Sequence, residues 1–190
     1  MSNAVSPLGG QSSSGFATVA DAGLTGMITL RGTLASPAMA AAVKAATGCD
    51  MPARRRIVLS GAKGVAWMSP DELLVLVPYA EAAATVAALS QALSGEHALV
   101  VDVSDARAVF TVTGDRADQV LRKLSPADID RMDPGEIRRS RIAQVAGAFW
   151  RSAPDRITLV TFRSVAPYVM GLLSNAAKTG TDLYPVPSHG

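Results

Sequence analysis

The chain has 190 residues, 48% of them hydrophobic and 18% charged, which is enough apolar material for one domain or two small halves sharing a core. A net charge of +2 gives little non-specific attraction for nucleic acid, and 5% aromatics supply no stacking platform. Cys49 is the only cysteine, so an intrachain disulfide framework is excluded, and apolar runs such as Leu73 to Val77 are far too short to span a membrane. The opening residues lack the basic start and apolar run of a signal peptide, so a cytoplasmic location is expected.

In chain order, Met1 to Ser14 is rich in Gly and Ser and reads as a tail that is disordered or laid across a partner. Met27 to Arg31 has strand character. Ser36 is a fitting N-cap with Pro37 at the first helical position; Met39, Val43 and Ala46 mark the buried stripe, and Gly48 ends the helix. Ile57 to Leu59 and Val65 to Met68 read as short strands around the Gly61-Ala62-Lys63-Gly64 turn. Ser69-Pro70-Asp71 then turns the chain into Leu73 to Val77, apolar enough for a central strand. Ala82, Val86, Leu89 and Leu93 form a helical stripe closed by Gly95.

The second half repeats this order. Val109 to Val112 is a strand stopped by Gly114, with Asp115 placed to start a helix carrying Val120, Leu121 and Leu124. A turn at Asp133-Pro134-Gly135, an Arg-rich segment, Ala148-Phe149-Trp150, a Pro154-Asp155 turn, the strand Ile157 to Thr161 and a helix from near Ser164 follow. Gly32 matches Gly114, Trp67 matches Trp150 and Asp71 matches Asp155 at offsets of 82, 83 and 84 (114 − 32, 150 − 67, 155 − 71), the trace of an internal duplication. The expected fold is α+β: two similar strand-helix-strands-helix halves, about 26–95 and 100–178, forming mixed or antiparallel sheets covered by helices. They make one domain over 15–180, followed by a tail over 181–190.

No residue emerges as catalytic, cofactor-binding or metal-binding. His97 and His189 have no Cys, His or Asp at metal-ligand spacing and read as surface histidines. Gly61 to Gly64 lacks the spacing of a phosphate loop, and Cys49 has no neighbouring base. Asp102 and Asp105 are a carboxylate pair open to acid–base work, but Asp102 anchoring a turn and Asp105 facing solvent or a partner Arg fit better. No nucleophile or metal set accompanies them, and Ser104 has no base in a triad motif. Arg54-Arg55-Arg56 and Arg138, Arg139, Arg141 read as solvated faces or as docking sites for acidic partners; strand alternation splits Arg138 and Ser140 from Arg139 and Arg141. Trp67 and Trp150 read as core or interface anchors.

Several stretches together resemble one family. They are Trp67 to Leu74, Val101-Asp102-Val103-Ser104-Asp105-Ala106-Arg107, Arg139 to Val145, Phe149-Trp150-Arg151 and Phe162 to Ala166. From about Gly26 to Ala177 the chain resembles the gamma subunits of heterotetrameric sarcosine oxidase. More remotely, Asp102 to Thr161 looks like the amino-terminal folate-binding part of the glycine-cleavage aminomethyltransferases. There, a carboxylate assists chemistry at the folate nitrogen; the corresponding stretch here, Ala148-Phe149-Trp150-Arg151, contains none, and Asp105 replaces the usual His.

The resemblance implies an aminomethyltransferase-like fold and a non-catalytic assembly subunit of a flavoenzyme. That complex oxidatively demethylates sarcosine to glycine, with hydrogen peroxide and 5,10-methylenetetrahydrofolate formed. The implied partners are alpha, beta and delta subunits, with no nucleic acid and no membrane. FAD, FMN, NAD, tetrahydrofolate and zinc are implied for those other subunits and none for this chain. The alternative is a stand-alone folate-binding one-carbon transferase.

Overall fold

The structure, a computed structural model, describes residues 4–183. The elements are β1 (Ser12–Ser14), β2 (Thr18–Asp21), β3 (Gly26–Arg31), α1 (Pro37–Thr47), β4 (Ile57–Ser60), β5 (Lys63–Ser69), β6 (Glu72–Val77), α2 (Ala82–Ala92) and β7 (Leu99–Asp102). They continue with β8 (Arg107–Thr113), α3 (Ala117–Leu124), β9 (Ile137–Ile142), β10 (Val145–Ala153), β11 (Arg156–Phe162) and α4 (Ala166–Ala176). No helix among the described residues is long and apolar enough to cross a membrane.

Local chemistry explains most boundaries. The Ser36 hydroxyl accepts the Ala38 amide at 3.2 Å, Pro37 opens α1, and Gly48 closes it in the left-handed conformation at φ 74°. Pro70-Asp71 and Pro154-Asp155 make the β5–β6 and β10–β11 hairpins. Asp115 does not cap α3, which starts after Arg116 without a side-chain cap.

The duplication is present, and the chain divides into two compact units. One unit is Leu24–Arg107 with Gly135–Arg138. Its sheet has the order β4-β5-β6-β3-β7, and Ile28, Leu30, Met39, Val43, Leu73, Val75 and Leu89 are core residues against α1 and α2. The other unit is the segment up to Gly23, Ala108–Pro134 and Arg139 onward. Its sheet has the order β1-β2-β8-β11-β10-β9, with Val19, Phe110, Val112, Leu121, Phe149, Leu159, Val169 and Leu173 in its core. Each of these fully buried side chains stabilises its unit by roughly 1.5–3 kcal/mol.

The repeats begin earlier than expected and exchange their first strands. β2 precedes β3 in sequence but pairs with β8; β7 precedes β8 but pairs with β3. Thus β7, placed by sequence in the second copy, completes the sheet of the first. The hairpin registers also correct the tryptophan match. Trp67 faces Leu73 and Trp150 faces Thr158, and at the offset of 84 shared by the two hairpins Trp150 aligns with Ala66, one residue away. A one-residue difference in a strand means opposite faces, so Trp67 is half-buried and Trp150 buried.

Residues 4–14 of the expected disordered tail are held: Ser12–Ser14 pair with β2, and Asp21 binds Ser6, Leu8 and Gly10. Residues 181–183 of the expected carboxy-terminal tail are held as well. The Thr181 hydroxyl accepts from Lys123 at 3.0 Å, and the Leu183 amide donates to Gln119 at 2.8 Å. Residues 1–3 and 184–190, with His189, lie outside the described residues.

Candidate functional site

The Asp102 to Asp105 segment is the place where sequence offered an acid pair. Asp102 ends β7, and its Oδ1 accepts the Ser104 amide at 2.9 Å and the Ser104 hydroxyl at 2.5 Å, a local turn of the kind Asp favours. Buried Ser104 Oγ in turn accepts the Met27 amide at 2.9 Å. Asp105 is exposed and accepts the Tyr79 hydroxyl at 3.0 Å. The two carboxylates have separate partners and separate structural duties, and Ser104 is a cross-link between the start of β3 and the end of β7.

The Arg-rich segments meet on a residue that sequence did not single out. Glu136 is buried, and the Arg55 guanidinium donates to its Oε1 at 2.5 Å. Arg138 Nη2 donates to Oε2 at 3.1 Å, and its Nε lies 3.1 Å from Oε1 as an ion pair. Alongside, Ile57 and Ile137 donate their amides to the Gly135 and Arg55 carbonyls at 2.9 and 3.0 Å. Arg55 and Arg138 thus bind a carboxylate inside their own unit, whereas Arg54, Arg139 and Arg141 are exposed. Alternation along β9 splits Arg138 from Arg139 and Arg141 as the spacing predicts. The signal for Glu136 was weak: a carboxylate beside a Pro-Gly turn, whose partner Arg55 is 81 residues away.

Trp67 lines an open cleft of about 600 Å³ with Arg54, Met51, Pro70, Gly32 and Asp71. A neighbouring hollow of about 580 Å³ shares Gly32 and Asp71 and adds Arg31, His97 and Leu99. The Ser69 hydroxyl, donating at 2.6 Å, holds the Asp71 carboxyl below its ordinary range. Arg31 pairs with Glu72 at 3.0 Å. His97 is exposed, and Cys49 is buried in the core with its amide on Thr47 Oγ1 at 3.0 Å. Among the described residues no three His, Cys, Asp or Glu side chains cluster as a metal would require. Ala148, Phe149 and Trp150 on β10 are buried apolar residues.

A second carboxylate also escaped the sequence reading. Asp21 ends β2 as Asp102 ends β7, and Val19-Ala20-Asp21-Ala22-Gly23 parallels Val100-Val101-Asp102-Val103-Ser104 at an offset of 81 (102 − 21). That recurrence was the available signal.

The duplicated architecture is that of the aminomethyltransferase fold. Aminomethyltransferase T of the glycine cleavage system from Bartonella henselae superposes with a TM-score of 0.61 over 82% of this chain and 45% of that one, at 14% identity, a likeness of fold alone. Within that fold, residues 31–179 match the model of the sarcosine oxidase, gamma subunit family, and the chain belongs to that family. It is 35% identical over 116 residues to the sarcosine oxidase subunit gamma of an Arthrobacter species, covering 59% of this chain and 56% of the relative. With the same subunit of Corynebacterium sp. strain U-96, identity is 33% over 140 residues, covering 72% and 67%. The chain therefore spans about half to two thirds of the length of these relatives. A chain of the heterotetrameric sarcosine oxidase from Corynebacterium sp. U-96, solved in complex with pyrrole 2-carboxylate, superposes with a TM-score of 0.78 at 26% identity over 87% of both chains.

Proposed function

We propose that this chain is the gamma subunit of a heterotetrameric sarcosine oxidase and serves assembly of the complex. The carrying observation is the likeness to a chain of that enzyme over 87% of both chains, within a family matched over residues 31–179. In this reading the chain joins alpha, beta and delta subunits, which hold the flavins, the nicotinamide dinucleotide, the tetrahydrofolate site and zinc. The complex demethylates sarcosine oxidatively, releasing glycine and hydrogen peroxide. No catalytic, cofactor-binding or metal-binding residue is assigned to this chain. The structural duties of Asp102, Ser104 and Glu136 support that assignment, since each is engaged in holding backbone or arginine.

Co-expression of the other subunits with and without this chain tests the role. Loss of assembly, flavin content or sarcosine-dependent peroxide release without it is the expected result. Normal assembly and turnover without it, together with tight binding of a reduced folate to the isolated chain, would favour a stand-alone one-carbon transferase instead.

A further inference from the structure

The two copies differ at one sheet edge. The outer edge of β2 is covered by β1, with Ser12, Ser13 and Ser14 opposite Ala20, Val19 and Thr18. The Asp21 amide donates outward to the Gln11 carbonyl at 2.9 Å. The Asp21 carboxylate is divided between two tasks. Oδ1 accepts the Gly23 amide at 3.3 Å in a local turn, and Oδ2 accepts the Ser6 hydroxyl and the Leu8 and Gly10 amides of the incoming segment at 2.6, 3.2 and 3.1 Å.

β7 holds the equivalent place in the five-stranded sheet and is one of its two edge strands. Asp102 stands opposite Ile28 as Asp21 stands opposite Phe110, and its Oδ1 makes the corresponding local turn with Ser104. Among the described residues no group reaches Asp102 Oδ2, and no strand lies outside β7. The Val103 amide donates inward to Met27 at 2.8 Å, so antiparallel alternation turns the Val100 and Asp102 amides outward. Leu99 and Val101 are 52% and 39% exposed. An edge with aliphatic side chains and no Lys, Pro or bulge is one that folded proteins ordinarily cover.

We propose that β7 receives an extended segment of another subunit, added antiparallel as a sixth strand just as β1 adds to β2. Asp102 Oδ2 accepts backbone amides of that segment, and Val100 and Asp102 donate to its carbonyls. Its residues facing Val101 and Leu99 are apolar, where β1 places serines across Ala20 and Thr18. A second copy of this chain has its amino-terminal segment committed to its own β2 and could offer only its own four-residue β7, an occupant that the last arm of the test below decides. The inference rests on the proposed subunit role.

The test pairs the double variant Leu99→Lys/Val101→Lys with hydrogen exchange on the wild-type complex. Both side chains are exposed, so the free variant is expected to melt as the wild type does. Co-expressed with the other subunits, the wild type should co-purify and the variant should fall at least tenfold in the complex. The Val100 and Asp102 amides should gain protection on assembly. A wild-type chain that never joins the complex would sink the subunit role itself. A wild type that joins while the variant joins equally, or while those amides exchange as fast as in the free chain, overturns β7 docking alone. Should the variant misfold, exchange on the wild type decides. Protection of the same amides in a self-associated free chain would overturn the choice of occupant.

Discussion

The Ser104 hydroxyl accepts the Met27 amide across 77 residues of sequence while donating to the Asp102 carboxylate beside it. Ser104→Ala removes both bonds at a buried position and leaves the Met27 amide without its acceptor. Denaturant unfolding should show a loss of about 1–3 kcal/mol. Asp105→Asn, at an exposed position, should stay within about 0.5 kcal/mol of wild type. Equal effects at the two positions would contradict the contrast between the buried cross-link at Ser104 and the exposed carboxylate of Asp105.

Asp21 gives the amino-terminal segment a pH dependence. Burial alone would raise its pKa, but the Ser6 hydroxyl and the Gly10, Gly23 and Leu8 amides outweigh burial and hold it below the ordinary 3.8. A carboxyl whose folded value is depressed stabilises fully above its unfolded value, and that contribution fades as pH falls through the folded value. Amide protection in β1 should therefore be flat above about pH 5 and decline below about pH 4. Asp21→Asn should weaken protection at neutral pH and flatten the acid decline. An unchanged acid profile in that variant would rule out Asp21 as the group responsible.

Glu136 carries a prediction of opposite character, because its partners are cations. Glu136→Gln keeps the shape of the side chain while leaving Arg138, itself largely buried, facing a neutral amide. A loss of roughly 1–3 kcal/mol is expected, more than for a typical surface ion pair. Arg141→Gln, at an exposed position on the same strand, should cost little. Thermal unfolding of the two variants side by side checks the contrast.

What could be read from sequence was what local chemistry decides. Ser36, Pro37 and Gly48 fix α1 through their own backbone preferences, and Pro70-Asp71 and Pro154-Asp155 fix two hairpins. The partner of a four-residue strand is not a local property. Val19 reads equally well as coil before β3, and only burial against Val112 makes it a strand. Register suffers in the same way: the tryptophan match looked sound at an offset of 83, yet the hairpins align at 84 and put Trp67 and Trp150 on opposite faces. Glu136 and Asp21 were missed because their partners lie in distant or unassigned segments, and a carboxylate shows its role only once those partners are placed.

The strand exchange makes its own prediction. Removing residues 1–23 takes away β2, so Val112 and Phe110 lose their neighbour strand and Val19 is lost from a core in which it is fully buried. The five-stranded sheet loses nothing, because β7 is supplied from residues 99–102 and β3 begins at Gly26. If each copy closed its own sheet, the damage would fall on β3, the strand that follows the deletion. With exchange, the damage falls on β8, more than eighty residues away. Hydrogen exchange on the shortened chain should thus show accelerated amides in β8 and β11, while those of β3 and β6 keep their protection. The reverse pattern would mean that the leading strands are not exchanged in solution.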